Sequence, residues 1–107
     1  MDARITPKAL TAMREEIQAC GGREVFFAGT LNANGLIDKV RVCARGSATA
    51  VPAFFETLAH RDIVIHNHPS GDIAPSSADL DVAGICAHNG HGVYIVDNAV
   101  ERVYIVV

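Results

Sequence analysis

The sequence predicts an α/β (α+β) fold, a mixed β-sheet flanked by helices in the order α-β-β-α-β-α-β-β. Three observations carry that prediction. Half of the 107 residues are apolar and a fifth are charged, the balance of a chain that buries a core. Stretches of helical periodicity alternate with short apolar, β-branched runs. Gly, Pro and Asn-Gly signals separate one stretch from the next. The length suits one compact domain over residues 1–107, standing alone or as a module of a longer protein.

Thr6-Pro7 reads as a helix start, and Leu10, Met13, Ile17 and Cys20 recur at helical spacing until Gly21-Gly22. Residues 24–31 (EVFFAGTL) then read as a strand. Asn34-Gly35 turns the chain into a second strand over residues 36–44, completing a β-hairpin. Pro52 opens a short helix that carries Phe54, Phe55 and Leu58. Residues 62–66 (DIVIH) have the length and branching of a buried strand. The run PSGDIAP over residues 69–75 is irregular, and helical character resumes from Ser76 to His88, before Asn89-Gly90. Residues 92–97 and 100–107 read as a final hairpin around Asp97-Asn98.

The formal charge of −3 is mild and the nine basic residues are scattered, so strong nucleic-acid binding has no support. No apolar run reaches membrane-spanning length, and Met1-Asp2-Ala3-Arg4 is not a secretory start. A soluble cytoplasmic protein is the expectation. Cys20, Cys43 and Cys86 form no Cys-x-x-Cys pair and read as reduced, mostly buried thiols.

Chemistry concentrates in His66-Asn67-His68 and, beyond the Pro/Gly loop, Ser76-x-x-Asp79. Residues two apart on a strand share a face, so His66 and His68 can present both imidazoles to one ion while Asn67 points away. Asp79 shares a helical stripe with Val82, Ala83 and Cys86, which puts its carboxylate inward, over the strand end. A His-His-Asp set leaves a fourth tetrahedral position for water, the pattern of catalytic rather than structural zinc. Ser76 is placed to stabilise an oxyanion, and Glu24, at the start of the first strand, is the candidate base.

Each piece also has a bland reading. Ser76-x-x-Asp79 fits a helix capping box, a His-x-His can be merely hydrogen-bonded, and a lone Glu is ordinarily a solvated charge. Taken together, the pieces favour a divalent-metal site. His88-Asn89-Gly90-His91 lies at a helix end with no carboxylate or Cys accompanying the pair, and it reads as structural, as does His60 at the end of the second helix.

His66-x-His68, seven residues and Ser76-x-x-Asp79, with an upstream glutamate, resemble the JAMM motif of the MPN/JAB-domain zinc metallopeptidases. His-Asn-His-Pro-Ser-Gly-Asp followed by Pro-Ser-x-x-Asp is most similar to the RadC-like bacterial branch. Arg23-Glu24-x-Phe26, Asn34-Gly35-Leu36-Ile37 and Gly46-Ser47 through Pro52 extend the resemblance over nearly the whole chain. Asp97-Asn98 stands where that branch usually carries an Asp-His pair.

The resemblance implies a cytidine-deaminase-like JAB/MPN fold and hydrolysis of a peptide or isopeptide bond, often at the tail of a ubiquitin-like protein. It implies one Zn2+ per chain, which isolation need not preserve, held by His66, His68 and Asp79. Glu24 would then be the general acid/base and Ser76 the stabiliser of the intermediate. The alternative it leaves open is a metal-binding module associated with DNA processing, without peptidase activity of its own. The His-x-Glu and Pro-Cys-x-x-Cys signature of the zinc deaminases is absent.

Overall fold

Thr6 and Pro7 open the first helix as their chemistry dictates. In the computed structural model, which describes residues 4–46 and 57–107, α1 spans Pro7–Ala19. The Thr6 hydroxyl accepts the Ala9 N–H, and Pro7 occupies a first-turn position that needs no donor. Ala9, Leu10, Met13 and Ile17 form the buried stripe of α1. Gly22, at φ 78°, ends the helix by returning its N–H to the Ile17 carbonyl.

Strands β1 (Val25–Leu31) and β2 (Ile37–Arg45) form the expected hairpin. In its turn the Asn32 side chain accepts the N–H groups of Asn34 and Leu36, and Gly35 takes a φ of 77°. Then follow β3 (Ile63–Asn67), α2 (Ser77–His88), β4 (Gly92–Val96) and β5 (Val103–Ile105). The expected helix from Pro52 falls mostly on residues 47–56, outside the described residues.

The sheet order is β2-β1-β3-β4-β5, and β3 and β4 run parallel, joined by a crossover through α2. The five residues of central β3 are all buried, as a strand covered on both faces requires. Alternation along the strands divides the core. Val25, Phe27, Ile63 and Ile65 pack on the α1 side, whereas Phe26 and Val64 pack with Ala83 and Cys86 of α2. The α-and-β fold with a mixed sheet read from the sequence is therefore the observed one.

Two expectations need correction. The final strand is three residues long rather than a run over residues 100–107. The Asp97 carboxylate accepts the N–H groups of Glu101 and Arg102, and Val100 adopts φ 55° so that its side chain reaches the α1 core. Of the three free thiols Cys86 is fully buried, but Cys20 and Cys43 are half-buried at the margins of the two clusters. No helix among the described residues is long and apolar enough to cross a membrane.

Candidate metal centre

Strand alternation sends His66 to the α2 face of β3, where its ring stacks on Phe26, its cross-strand partner in β1, at 4.8 Å between centroids. His68 lies just beyond the last strand residue, and its ring meets that of His66 edge-on at 5.3 Å. The start of α2 supplies Asp79. Its Oδ1 lies 2.9 Å from His66 Nε2 and its Oδ2 2.8 Å from His68 Nε2. His66 and Asp79 are both at most 2% exposed.

Asp79 is aimed by the helix it begins. The Ser76 hydroxyl accepts the Asp79 N–H at 3.1 Å, and the Asp79 carboxylate accepts the Ser76 N–H at 2.9 Å, a complete capping box. The bland reading of Ser76 is thus realised. A hydroxyl that accepts one bond still has its proton to donate, and Ser76 also lines the open cleft of about 540 Å³ that exposes the site.

Glu24 reaches the same place by register. Phe26 faces His66 in the antiparallel pairing of β1 and β3, so continuing that pairing by two residues sets Glu24 opposite His68. The donor atoms of Glu24, His66 and His68 all lie within 4.8 Å of one another. The four charged or ionisable residues read from the sequence therefore converge, with Ser76 at the rim. Glu24 sits one residue before β1 rather than within it and is half-buried.

The environments of the two carboxylates diverge. Burial raises the Glu24 carboxyl from its ordinary 4.5 to about 6, against the lowering influence of the His68 charge. Burial also works to raise Asp79, but the Ser76 N–H and hydroxyl and the two histidines outweigh it and hold Asp79 below the usual carboxylate range. Burial lowers the His66 imidazole, against the pull of Asp79, and so favours its neutral form.

His68 tests whether these residues suit a cation. Its Nδ1 lies 2.9 Å from the Asp72 carbonyl oxygen, which can only accept, and its Nε2 faces the ionised Asp79 carboxylate. A neutral imidazole has a single N–H. With that proton directed at Asp72, a nitrogen lone pair and a carboxylate oxygen confront each other at 2.8 Å. Either a second proton or a shared cation resolves the contact, and a backbone carbonyl that fixes the tautomer is the usual support of a ligating histidine. Donors around tetrahedral zinc stand about 3.3 Å apart, so ligation asks these pairs to open by roughly half an ångström. His66 Nδ1 is buried with no partner among the described residues.

The histidines that read as structural in the sequence stay apart from this cluster. His91 is buried with Nδ1 on the Asp62 carbonyl, and His60 and His88 are exposed. Asn67 faces away from the imidazoles, as strand alternation requires, a position that gives no hint of a role in the sequence. It is nonetheless fully buried, and its side chain grips the backbone on both sides of Glu24.

Residues 5–96 match the family model described as a RadC-like JAB domain. Among similar proteins, a UPF0758 protein of Pelodictyon phaeoclathratiforme is 29% identical over 92 residues, covering 73% of this chain and 41% of its own length. Another, from Desulforudis audaxviator, is 33% identical over 85 residues, 72% of this chain and 37% of the relative. A third, from Chlorobaculum parvum, reaches 53% identity over a shorter stretch of 32 residues, 30% of this chain and 14% of its own length. The chain thus spans less than half the length of the relatives it matches. With the match extending from α1 through β4 and taking in every residue of the His/Asp/Glu cluster, the chain belongs to the RadC-like JAB domain family.

Proposed function

We propose that this chain is a zinc-dependent hydrolase module of the JAMM type, cleaving a peptide or isopeptide bond at the tail of a ubiquitin-like protein. The observation that carries the reading is His68, whose two ring nitrogens face two acceptors, one of them a carboxylate shared with His66. His66, His68 and Asp79 would hold the ion. When bound, zinc supplies the Lewis acidity that brings the ionisation of water close to neutral pH.

The chain's own groups supply the rest. Asp79, held ionised, is the permanent anion that balances a divalent charge. Glu24, raised to about 6, is a carboxylate at pH 7 that still protonates readily, so it can take a proton from water and give it to a leaving amine. Two carboxylates whose surroundings push them apart in this way can divide the work, one staying charged while the other carries protons. The Ser76 O–H is free to donate to the substrate carbonyl oxygen as it gains charge. The open cleft gives an extended backbone access to these groups. The three free thiols suit a reducing cytoplasm.

The test is mass spectrometry of ubiquitin-like tail peptides and isopeptides incubated with zinc-supplied protein. Cleavage should be lost by about a hundredfold or more in Glu24→Gln, the range for removing a general acid/base. Equal cleavage by Glu24→Gln and the parent chain would refute the reading.

A further inference from the structure

Asn67 and Asn98 form a chain of amide hydrogen bonds that no part of the proposed reaction uses. Asn67 is fully buried, and its Oδ1 accepts the Val25 N–H at 2.8 Å. Its Nδ2 donates to the Arg23 carbonyl at 3.1 Å and to Asn98 Oδ1 at 2.8 Å. Asn98 Nδ2 then donates to the Pro69 carbonyl at 3.3 Å. The orientation of both amides follows from the backbone groups at either end, because an N–H can only donate and a carbonyl can only accept.

This geometry has a direction. The Arg23 carbonyl and the Val25 N–H belong to the two peptide groups on either side of the Glu24 Cα, so a single side chain grips both. The Glu24 carbonyl is held from the far side by the Gly46 N–H at 3.0 Å. At the other end, Pro69 is the residue after His68. Asn98 sits where three loops meet, with Nδ2 3.8 Å from the position a Cβ would take on Gly22 and 3.7 Å from that on Gly71. Both glycines have positive φ, and Gly71 closes the turn after His68 by donating to the His68 carbonyl.

We propose that Asn67 and Asn98 are positioning residues that fix the Glu24 carboxylate relative to His68, by tying the backbone around Glu24 to the loop leaving the histidine. The proposal rests on the reading of Glu24 as the proton carrier. Asn67, buried with both of its amide N–H groups engaged, and the half-buried Asn98 that it bonds suit this task, since hydrogen-bonded amides resist displacement and do not titrate.

The experiment is NMR on the isotope-labelled chain without metal, reading the NOE between the Glu24 side chain and the His68 ring. The cross-strand NOE between Phe26 and His66 serves as an internal measure of the fold. The expected result is a Glu24–His68 cross-peak in the parent chain that is lost in Asn98→Ala while the Phe26–His66 peak stays. Asn67→Asp keeps the Val25 bond and makes the other two repulsive, so it should behave likewise. If that buried variant does not fold, Asn98→Ala decides alone. Asn98→Asp retains an acceptor for Asn67 but sets a carboxylate oxygen against the Pro69 carbonyl, so it cuts the link to the His68 loop and should lose the peak as Asn98→Ala does. An unchanged Glu24–His68 peak in folded Asn98→Ala overturns the proposal. Cobalt(II) titration of the same samples separates the two ideas: a parent chain that binds no cobalt yet shows the expected NOE pattern refutes the metal reading and leaves the positioning role standing.

Discussion

Glu24 and Asp79 face one cleft, and their surroundings push them in opposite directions. The sign of each shift fixes a pH dependence. Glu24 has a folded-state pKa raised from 4.5 to about 6, so its contribution to stability is fully present below 4.5 and is lost as the pH rises through 6. Glu24→Gln carries no such titration. Its melting temperature relative to the metal-free parent should therefore climb between pH 4.5 and 6.5 and level off above. The change is of order 1 kcal/mol once solvent screening of a half-buried group is allowed for. A gap that stays constant across that window would refute the assignment. Asp79 has the opposite sign, stabilising at neutral pH and losing that contribution as its low folded pKa is crossed. Asp79→Asn, which disturbs a buried carboxylate bonded to two imidazoles and one N–H, should cost about 1–3 kcal/mol by chemical denaturation of the metal-free chain. His66, His68 and Asp79 are legible in the sequence because strand alternation and helical periodicity are local rules. The distance between Glu24 and His68 is not, because it depends on which residues of β1 and β3 pair, across about forty residues of chain. Asn67 escapes a sequence reading for the same reason. Facing away from the imidazoles is what brings its amide to the backbone of Glu24.

At the level of elements, α2 serves as both scaffold and site, since the capping box that starts it also aims Asp79. Ser76→Ala removes the hydroxyl from the N-cap and should cost about 1 kcal/mol. If Ser76 acts on substrate as well, Ser76→Thr should recover stability and activity together, while Ser76→Asp recovers the cap alone; denaturant melts beside peptide cleavage distinguish them. Phe27, fully buried between β1 and α1, carries no chemistry, and Phe27→Ala should cost about 3–5 kcal/mol without changing zinc stoichiometry in whatever fraction stays folded. The caps of α1 and α2 and the turn at Gly35 are readable because each is set by a few adjacent residues. The shortened last strand is not. Residues 100–107 are apolar enough to be strand throughout, but Val100 leaves that pattern to fill the core against α1, a demand that arises only after folding.

Across the whole molecule, the site lies where the sheet's central strand, its antiparallel neighbour and one covering helix meet, at the C-terminal end of β3 and beside the parallel crossover. Sheet order and handling of edges follow from long-range pairing, so the sequence supports a mixed sheet without specifying β2-β1-β3-β4-β5. A ligand that ties β3 to α2 should stabilise the fold as a unit. Zinc at a hundred times its dissociation constant adds about 2.7 kcal/mol, which for a chain of this size raises the melting temperature by roughly 10–20 °C. The measurement that decides the matter is zinc stoichiometry and affinity by calorimetric titration into the metal-free chain, run beside His68→Ala. One zinc per parent chain, with binding lost or weakened by at least about tenfold in the variant, is the expected result. A parent chain that takes up no zinc, or a His68→Ala variant that binds it as tightly, would contradict a metal centre at His66, His68 and Asp79.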